Sequence, residues 1–357
     1  MIHKFLLTIF LSVFALTAVA QSGRVKPKET PTPKSEMPRP SVVYMPTQTI
    51  AAKPSPTPNI TSKIENDDDI IKIDSTLVPI PVSVLDAGGQ TVANLRLEDF
   101  MLQIDGQAAE IGELSRSETP VRLALLFDNS SSVTIAREFE KKAAVKFFRR
   151  VLRPSKDLAA LFSVSTVTRI EQPLTKDVSQ IIRAIEAFPT PQGATALLDG
   201  IIKAADYLRE ADGRRVIVIV SDGEDTISDA AFEDALKAVQ AANVQVYVVK
   251  TKEFENFKQT GQRAGNANIR ALVAERRMQD ITAQTGGAVY SPIDERELDQ
   301  AFNQISAELA QQYILSYYPE SEADKRGEFR AISLSVKTGQ NLTVRTRKGY
   351  YVPKNVR

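Results

Sequence analysis

The sequence contains no cysteine, and its one histidine is His3. The first absence removes disulfides, thiolate zinc sites, cysteine nucleophiles and a lipid-modified N-terminal cysteine. His3 lies in a segment that reads as a cleaved leader, so the mature chain would carry no imidazole. That excludes a Ser-His-Asp triad and every histidine-ligated metal site. Any metal must then be a hard ion held by oxygen. A basic excess is also missing: Lys and Arg number 45 against 44 Asp and Glu, which gives no sign of nucleic-acid binding. Past the N-terminus there is no apolar run long enough to span a membrane, and no stable span is expected after leader cleavage.

The 357 residues begin with Lys4, an almost wholly apolar run from Phe5 to Leu16, and Ala18-Val19-Ala20 before Gln21. This is the pattern of a secretory signal peptide over residues 1–20. It predicts export, to the medium, the periplasm or the cell envelope. Retention of the run as an anchor is the alternative, and either leaves the rest of the chain outside the cytoplasm. Residues 21–68 hold nine of the 19 prolines and read as a disordered or semi-extended linker without a core.

From Ile70 the pattern changes. Residues 70–118 alternate apolar and polar positions, with Asp105-Gly106 as a tight hairpin signal. Pro79 and Pro81 share one face of a strand, which predicts an edge position. Residues 120–311 then alternate uniformly apolar strands ("VRLALLF", "RVIVIVSDG", "VQVYVVK") with amphipathic helices, the first over "SVTIAREFEKKAAVKFFRRVL" and the last over 294–311. Strands apolar on both faces belong to a mostly parallel sheet covered by helices on both sides. "DLAALFSVS" and "VTRIEQPL" are joined by a short turn and are expected to be antiparallel. Residues 312–353 return to strands, "YILSYYP", "FRAISLSVKT" and "NLTVRTRKGYYV". The economical arrangement is one β-sandwich-like domain built from both flanks, with the α/β domain inserted in it.

Two of the apolar strands end on acids. "LALLFDNSSSVTIARE" delivers Asp128 followed by Ser130 and Ser132, and "VIVIVSDGED" delivers Asp222. Between them "TPQGATALLDG" places Thr195 at the start of a helix. In an open α/β sheet ligands bind beyond the carboxyl ends of the strands. Asp128, Ser130, Ser132, Thr195 and Asp222 offer only oxygen, which suits Mg²⁺; Mn²⁺ or Ca²⁺ could substitute. Singly, each serine or threonine has a plainer reading as a helix cap, and "SDGED" as a turn. Glu224 and Asp225 read as that solvated turn, and Asp199 as a support for the loop.

"DNSSS" resembles the D-x-S-x-S motif of the von Willebrand factor type A domain. "GATALLDGI" is similar to that family's G-x-T loop, and "VIVIVSDGED" to its third motif. The resemblance covers about residues 120–311. It implies a doubly wound sheet of six strands, one antiparallel, and a metal-ion-dependent adhesion site at Asp128, Ser130, Ser132, Thr195 and Asp222. On that resemblance Ser130 and Ser132 ligate directly, Thr195 does so in at least one state, and the two aspartates act directly or through water. Ser131 stands where the family often has glycine. The flanks, "VPIPVSVLDAGGQTVANLRLEDFMLQIDGQ" and "LTVRTRKGYYVP", look like those of exported bacterial VWFA-related proteins.

The expectation is therefore an exported, non-enzymatic, metal-dependent protein-binding module. Its Mg²⁺ would be completed by an Asp or Glu of a protein partner, and a shift of Thr195 or of the last helix would couple the site to the β domain. A structural envelope protein with a vestigial metal site is the alternative. A Mg²⁺-dependent hydrolase is a third, disfavoured because no Lys or Arg lies inside the three motifs to clamp a phosphate.

Overall fold

The computed structural model describes residues 77–116, 119–134, 136–262, 269–319, 325–337 and 341–353. The leader and the proline-rich linker lie outside the described residues. Four short strands come first: β1 (Val78–Leu85), β2 (Phe100–Ile104), β3 (Gln107–Ala109) and β4 (Glu113–Arg116). β2 and β3 form the hairpin that Asp105-Gly106 predicts. Both turn residues have positive φ, 51° and 80°, the conformation a two-residue hairpin requires and the reason for glycine at its second position.

The α/β region follows. Its strands are β5 (Val121–Asp128), β6 (Leu158–Val164), β7 (Arg169–Thr175), β8 (Arg214–Ser221), β9 (Val244–Lys250) and β10 (Val289–Tyr290). They make one sheet in the order β10-β9-β8-β5-β6-β7. Only the β6–β7 pair is antiparallel. Seven helices wind around it: α1 (Arg137–Val151), α2 (Val178–Glu186), α3 (Leu197–Arg209), α4 (Phe232–Ala241), α5 (Lys252–Thr260), α6 (Ile269–Thr285) and α7 (Glu295–Gln311). Alternation along the strands assigns the two faces. Leu123, Leu125 and Phe127 pack with α1, α2 and α7, and Ala124 and Leu126 with α3, α4 and α6. Both faces are therefore dry, which explains why these strands are apolar at every position.

The chain closes with β11 (Tyr313–Tyr317), β12 (Phe329–Val336), β13 (Thr343–Thr346) and β14 (Gly349–Tyr351). Two antiparallel sheets result, β13-β1-β11-β4 and β14-β12-β2-β3, each mixing strands from before and after the α/β region. One apolar cluster, including Ile80, Val82, Leu102, Ile104, Tyr313 and Ile332, draws on both.

Three local expectations change. β1 is not an edge strand: it pairs β11 over residues 78–82 and β13 over residues 82–85. Each half has one neighbour, and they overlap at Val82; on the proline-bearing half the backbone of Pro79 and Pro81 faces away from β11, so the missing N–H groups cost no ladder bond. "NLTVRTRKGYYV" makes two strands in different sheets rather than one. The break falls at Arg347-Lys348, where Lys348 N bonds Gln284 O of α6 at 2.9 Å. α1 starts at Arg137, not within the serine run, which instead forms a 3-10 turn over Ser131–Val133. Serine hydroxyls that bond locally compete with helix formation. Helix α5 has no counterpart in the sequence reading. Among the described residues no helix is long and apolar enough to cross a membrane.

Candidate metal centre

Strand order reverses between β5 and β8, so the crevice of the sheet opens beyond their carboxyl ends. Asp128 closes β5, and Ser221-Asp222 closes β8. Three loops meet there and are tied by backbone bonds. Gln192 N bonds Asn129 O at 2.9 Å and Ser131 N bonds Gly193 O at 3.1 Å, joining the loop after β5 to the loop before α3. Thr226 N bonds Thr195 O at 2.9 Å, and Thr195 N bonds the Thr226 hydroxyl at 2.9 Å, joining that loop to the one after β8.

The five expected residues sit on these three loops. Asp128, Ser130, Thr195 and Asp222 are buried, and Ser132 is exposed. The Ser130 and Ser132 hydroxyls are 2.9 Å apart. Neither serine caps α1, whose N-cap is Ala136, and Ser130 makes no side-chain capping bond to the 3-10 turn it precedes. Thr195 does not cap α3 either: the N-cap is Ala196. The plainer capping readings therefore do not account for these hydroxyls. Thr195 Oγ1 makes no hydrogen bond among the described residues. Ser131 needs no glycine, since positive φ at non-glycine positions is confined to Asp105 and Asn243 among the described residues.

The carboxylates are held by neutral donors. Asp128 Oδ1 accepts from Ser130 N at 2.9 Å, and Oδ2 accepts from the Ser221 hydroxyl at 2.6 Å. Asp222 Oδ1 accepts from Glu224 N at 3.0 Å. Burial and the charge of Asp222 push Asp128 up to about 6, against the bonds from Ser221 and Ser130. Two further buried acids stand nearby. Burial, then the charges of Asp128 and Glu255, push Glu140 well up. Burial, then Asp222, push Glu255 up to about 8. Among the described residues both Glu140 oxygens and Glu255 Oε1 lack hydrogen-bond partners. The cations acting on this group are Arg137 and Lys252. Arg137 donates to Asp128 O at 3.2 Å and to Asn129 Oδ1, and lies 4.8 Å from the ring centres of both Phe127 and Phe188. Acidic groups thus outnumber basic ones around the crevice, and burial holds Glu140 and Glu255 toward their neutral forms.

An all-oxygen set with two carboxylates has the donor chemistry that a hard divalent cation takes. No group of three or more His, Cys, Asp or Glu suited to a metal occurs among the described residues. Glu224 pairs with Lys252 at 3.8 Å. Asp225 is not a solvated turn residue: its Oδ1 caps α3, accepting from Leu197 N at 2.8 Å and Leu198 N at 3.2 Å. Asp199 supports the loop, accepting from Asp229 N and Ala230 N, both at 3.1 Å. The sequence reading did not single out Ser221, Glu140 or Glu255. Ser221 was recoverable, as the hydroxyl at the end of an apolar strand. Glu140 and Glu255 were not, because a buried glutamate on a polar-rich helix looks like a solvated one.

A search of curated proteins finds no match. Among solved structures the chain is similar to the PilB minor pilin from Streptococcus sanguinis, with TM-score 0.42 and 13% identity over 54% of this chain and 62% of the pilin. BatB from Bacteroides thetaiotaomicron aligns with TM-score 0.40 and 18% identity, over 53% of this chain and 98% of BatB. The pilus adhesin SpaC from Lactobacillus rhamnosus GG aligns with TM-score 0.43 and 11% identity, over 71% of this chain and 48% of SpaC. The sequence model of the von Willebrand factor type A domain matches residues 123–304, half of the chain and every element of the six-stranded sheet except the first two residues of β5. The chain belongs to the von Willebrand factor type A domain family.

Proposed function

We propose that the protein is an exported, metal-dependent protein-binding module. Asp128, Ser130, Ser132, Thr195 and Asp222 would hold a Mg²⁺ ion, and a carboxylate of a protein partner would complete its coordination. The observation that supports this reading is that the three loops carrying these residues are bonded to one another beyond the carboxyl ends of β5 and β8, with a capping role absent for Ser130, Ser132 and Thr195. Two carboxylates and neutral hydroxyls leave a Mg²⁺ ion short of its six ligands. Water fills the remainder until a partner's Asp or Glu displaces one molecule. Export rests on the leader-like pattern of residues 1–20.

An enzyme built on the same acids has less support. Asp128 and Asp222 are both assigned to the ion, which leaves neither free for general acid-base work.

Selection of displayed peptides on the immobilised protein in Mg²⁺ tests the reading. Recovered peptides should be rich in Asp or Glu, release in EDTA, and fail to bind Asp128→Ala. Binders that survive EDTA, or that lack an acid, would contradict it.

A further inference from the structure

The opposite end of the six-stranded sheet carries a second feature, remote from the metal centre. A cavity of about 320 Å³ lies where the start of β8, the α4–β9 turn and the end of α6 meet β1, β11 and the β13–β14 turn. Its volume is at the lower end of the range for small-molecule sites. Three arginines line it: Arg214, Arg215 and Arg347.

None of the three forms an ion pair among the described residues. Each is held by neutral acceptors. Arg214 donates to Gln312 Oε1 and Leu309 O, both at 2.8 Å. Arg215 donates to Ala211 O and Ala242 O, both at 2.8 Å, with the charges of Asp212 and Glu210 acting at longer range. Arg347 donates to Pro79 O at 2.8 Å and to Asn243 Oδ1. The Nε–H groups of Arg214 and Arg347 are buried without a partner. Burial pushes both guanidinium groups down to about 10. Three guanidinium groups at one cavity, none in an ion pair among the described residues, leave positive charge there that Asp157, Asp212 and Glu210 offset only from longer range and that an added anion would neutralise directly.

The apolar part of the lining is Pro79, Pro81, Val239, Val244 and Ile314, set beside neutral polar side chains that include Gln240, Gln245, Gln284 and Thr285. The walls are fixed in place. Gly213 has φ +101°, and a Cβ there would lie 2.5 Å from Pro120 O. Asn243 holds the α4–β9 turn at φ 51°. A preformed pocket with an apolar lining and a few charged groups of one sign selects both charge and shape.

We propose that this cavity is a binding site for a small organic anion, with a carboxylate, phosphate or sulfonate set against the three arginines and an apolar body against the prolines, valines and Ile314. The ligand would bridge the α/β region and the β-sandwich.

Calorimetric titration of the full chain with octanoate, inorganic phosphate and 1-octanol tests this. EDTA is kept throughout, so that no carboxylate is held through a cation at Asp128 and the result is independent of the metal centre. Octanoate should saturate at one equivalent, and both phosphate and octanol should bind at least about tenfold more weakly. Arg347→Gln should weaken octanoate by about tenfold or more, the loss of one charged hydrogen-bonding partner. Gln240→Trp, at a half-buried position on the rim, keeps every arginine and should block octanoate by filling the space. This second variant serves if Arg347→Gln does not fold. Absence of octanoate binding up to about 10 mM would overturn the proposal. So would equal binding in wild type and Gln240→Trp, or equal affinity for octanoate and either single-feature probe.

Discussion

The last helix of the α/β region is tied to both neighbours by one buried carboxylate, and the strength of that tie can be worked from its surroundings. Glu308 on α7 accepts from the hydroxyls of Tyr290 at 2.9 Å and Tyr247 at 3.2 Å, and from Arg345 of β13 at 2.9 Å. Its side chain is 3% exposed, whereas that of Arg345 is 28% exposed. This asymmetry predicts unequal costs. Arg345→Met leaves a buried carboxylate with only two tyrosine donors and should cost about 3 kcal/mol, the low end for breaking a buried pair. Glu308→Gln leaves a guanidinium that water can reach and should cost about 1–2 kcal/mol. The double variant should cost at least about 1 kcal/mol less than the sum, because the two groups interact directly. Urea titration of all four proteins measures these differences as midpoint shifts at constant slope. A larger loss for Glu308→Gln than for Arg345→Met, or strict additivity, would refute the reasoning. Because α7 runs directly into β11, the same variants also test whether the end of this helix reports to the β-sandwich: a partner's affinity should change in Glu308→Gln while Mg²⁺ affinity holds.

Two further outcomes follow from the buried ionisable groups behind the candidate metal centre. Glu255 titrates at about 8 when folded against 4.5 unfolded, so the stability it contributes is complete below about 4.5 and is lost as pH rises through about 8. In EDTA the melting temperature should therefore fall between pH 6 and 9, and Glu255→Gln should flatten that slope; an unchanged slope would count against the assignment. Arg137→Lys should destabilise by about 2 kcal/mol or more by calorimetry, because an ammonium cannot sit flat between Phe127 and Phe188 while donating to both Asp128 O and Asn129 Oδ1. A loss below about 0.5 kcal/mol would show that charge alone matters there.

Much of this architecture was legible in the sequence. Strands apolar at every position can only be buried on both faces, and 123–127 and 216–220 are. The three oxygen-bearing motifs fell on strand ends and loop starts, so topology alone brought them to one crevice. What escaped was set by tertiary contact. The edge position assigned to β1 from Pro79 and Pro81 was half right, because β13 pairs only beyond the prolines. Helix α5 was missed because Lys252–Thr260 is mostly polar and buries little beyond Phe254 and Glu255. Its position matters, since it brings Glu255 to the back of the metal centre and stacks Phe254 on Phe139 at 4.8 Å. The switch of sheets at Arg347 was hidden as well. "TVRTRKGYY" has strand character throughout, and the turn is fixed by contacts with α6 rather than by local propensity.

The most direct test of the central claim is thermal unfolding of the full chain in EDTA and in 10 mM Mg²⁺, for wild type and for Asp128→Ala. A dissociation constant of about 1 mM gives a linkage stabilisation of about 1.4 kcal/mol at 10 mM Mg²⁺. For a protein of this size that raises the melting temperature by about 3–6 °C. The account predicts this rise in wild type and its loss in Asp128→Ala. No rise in wild type, or the same rise in both proteins, would contradict it.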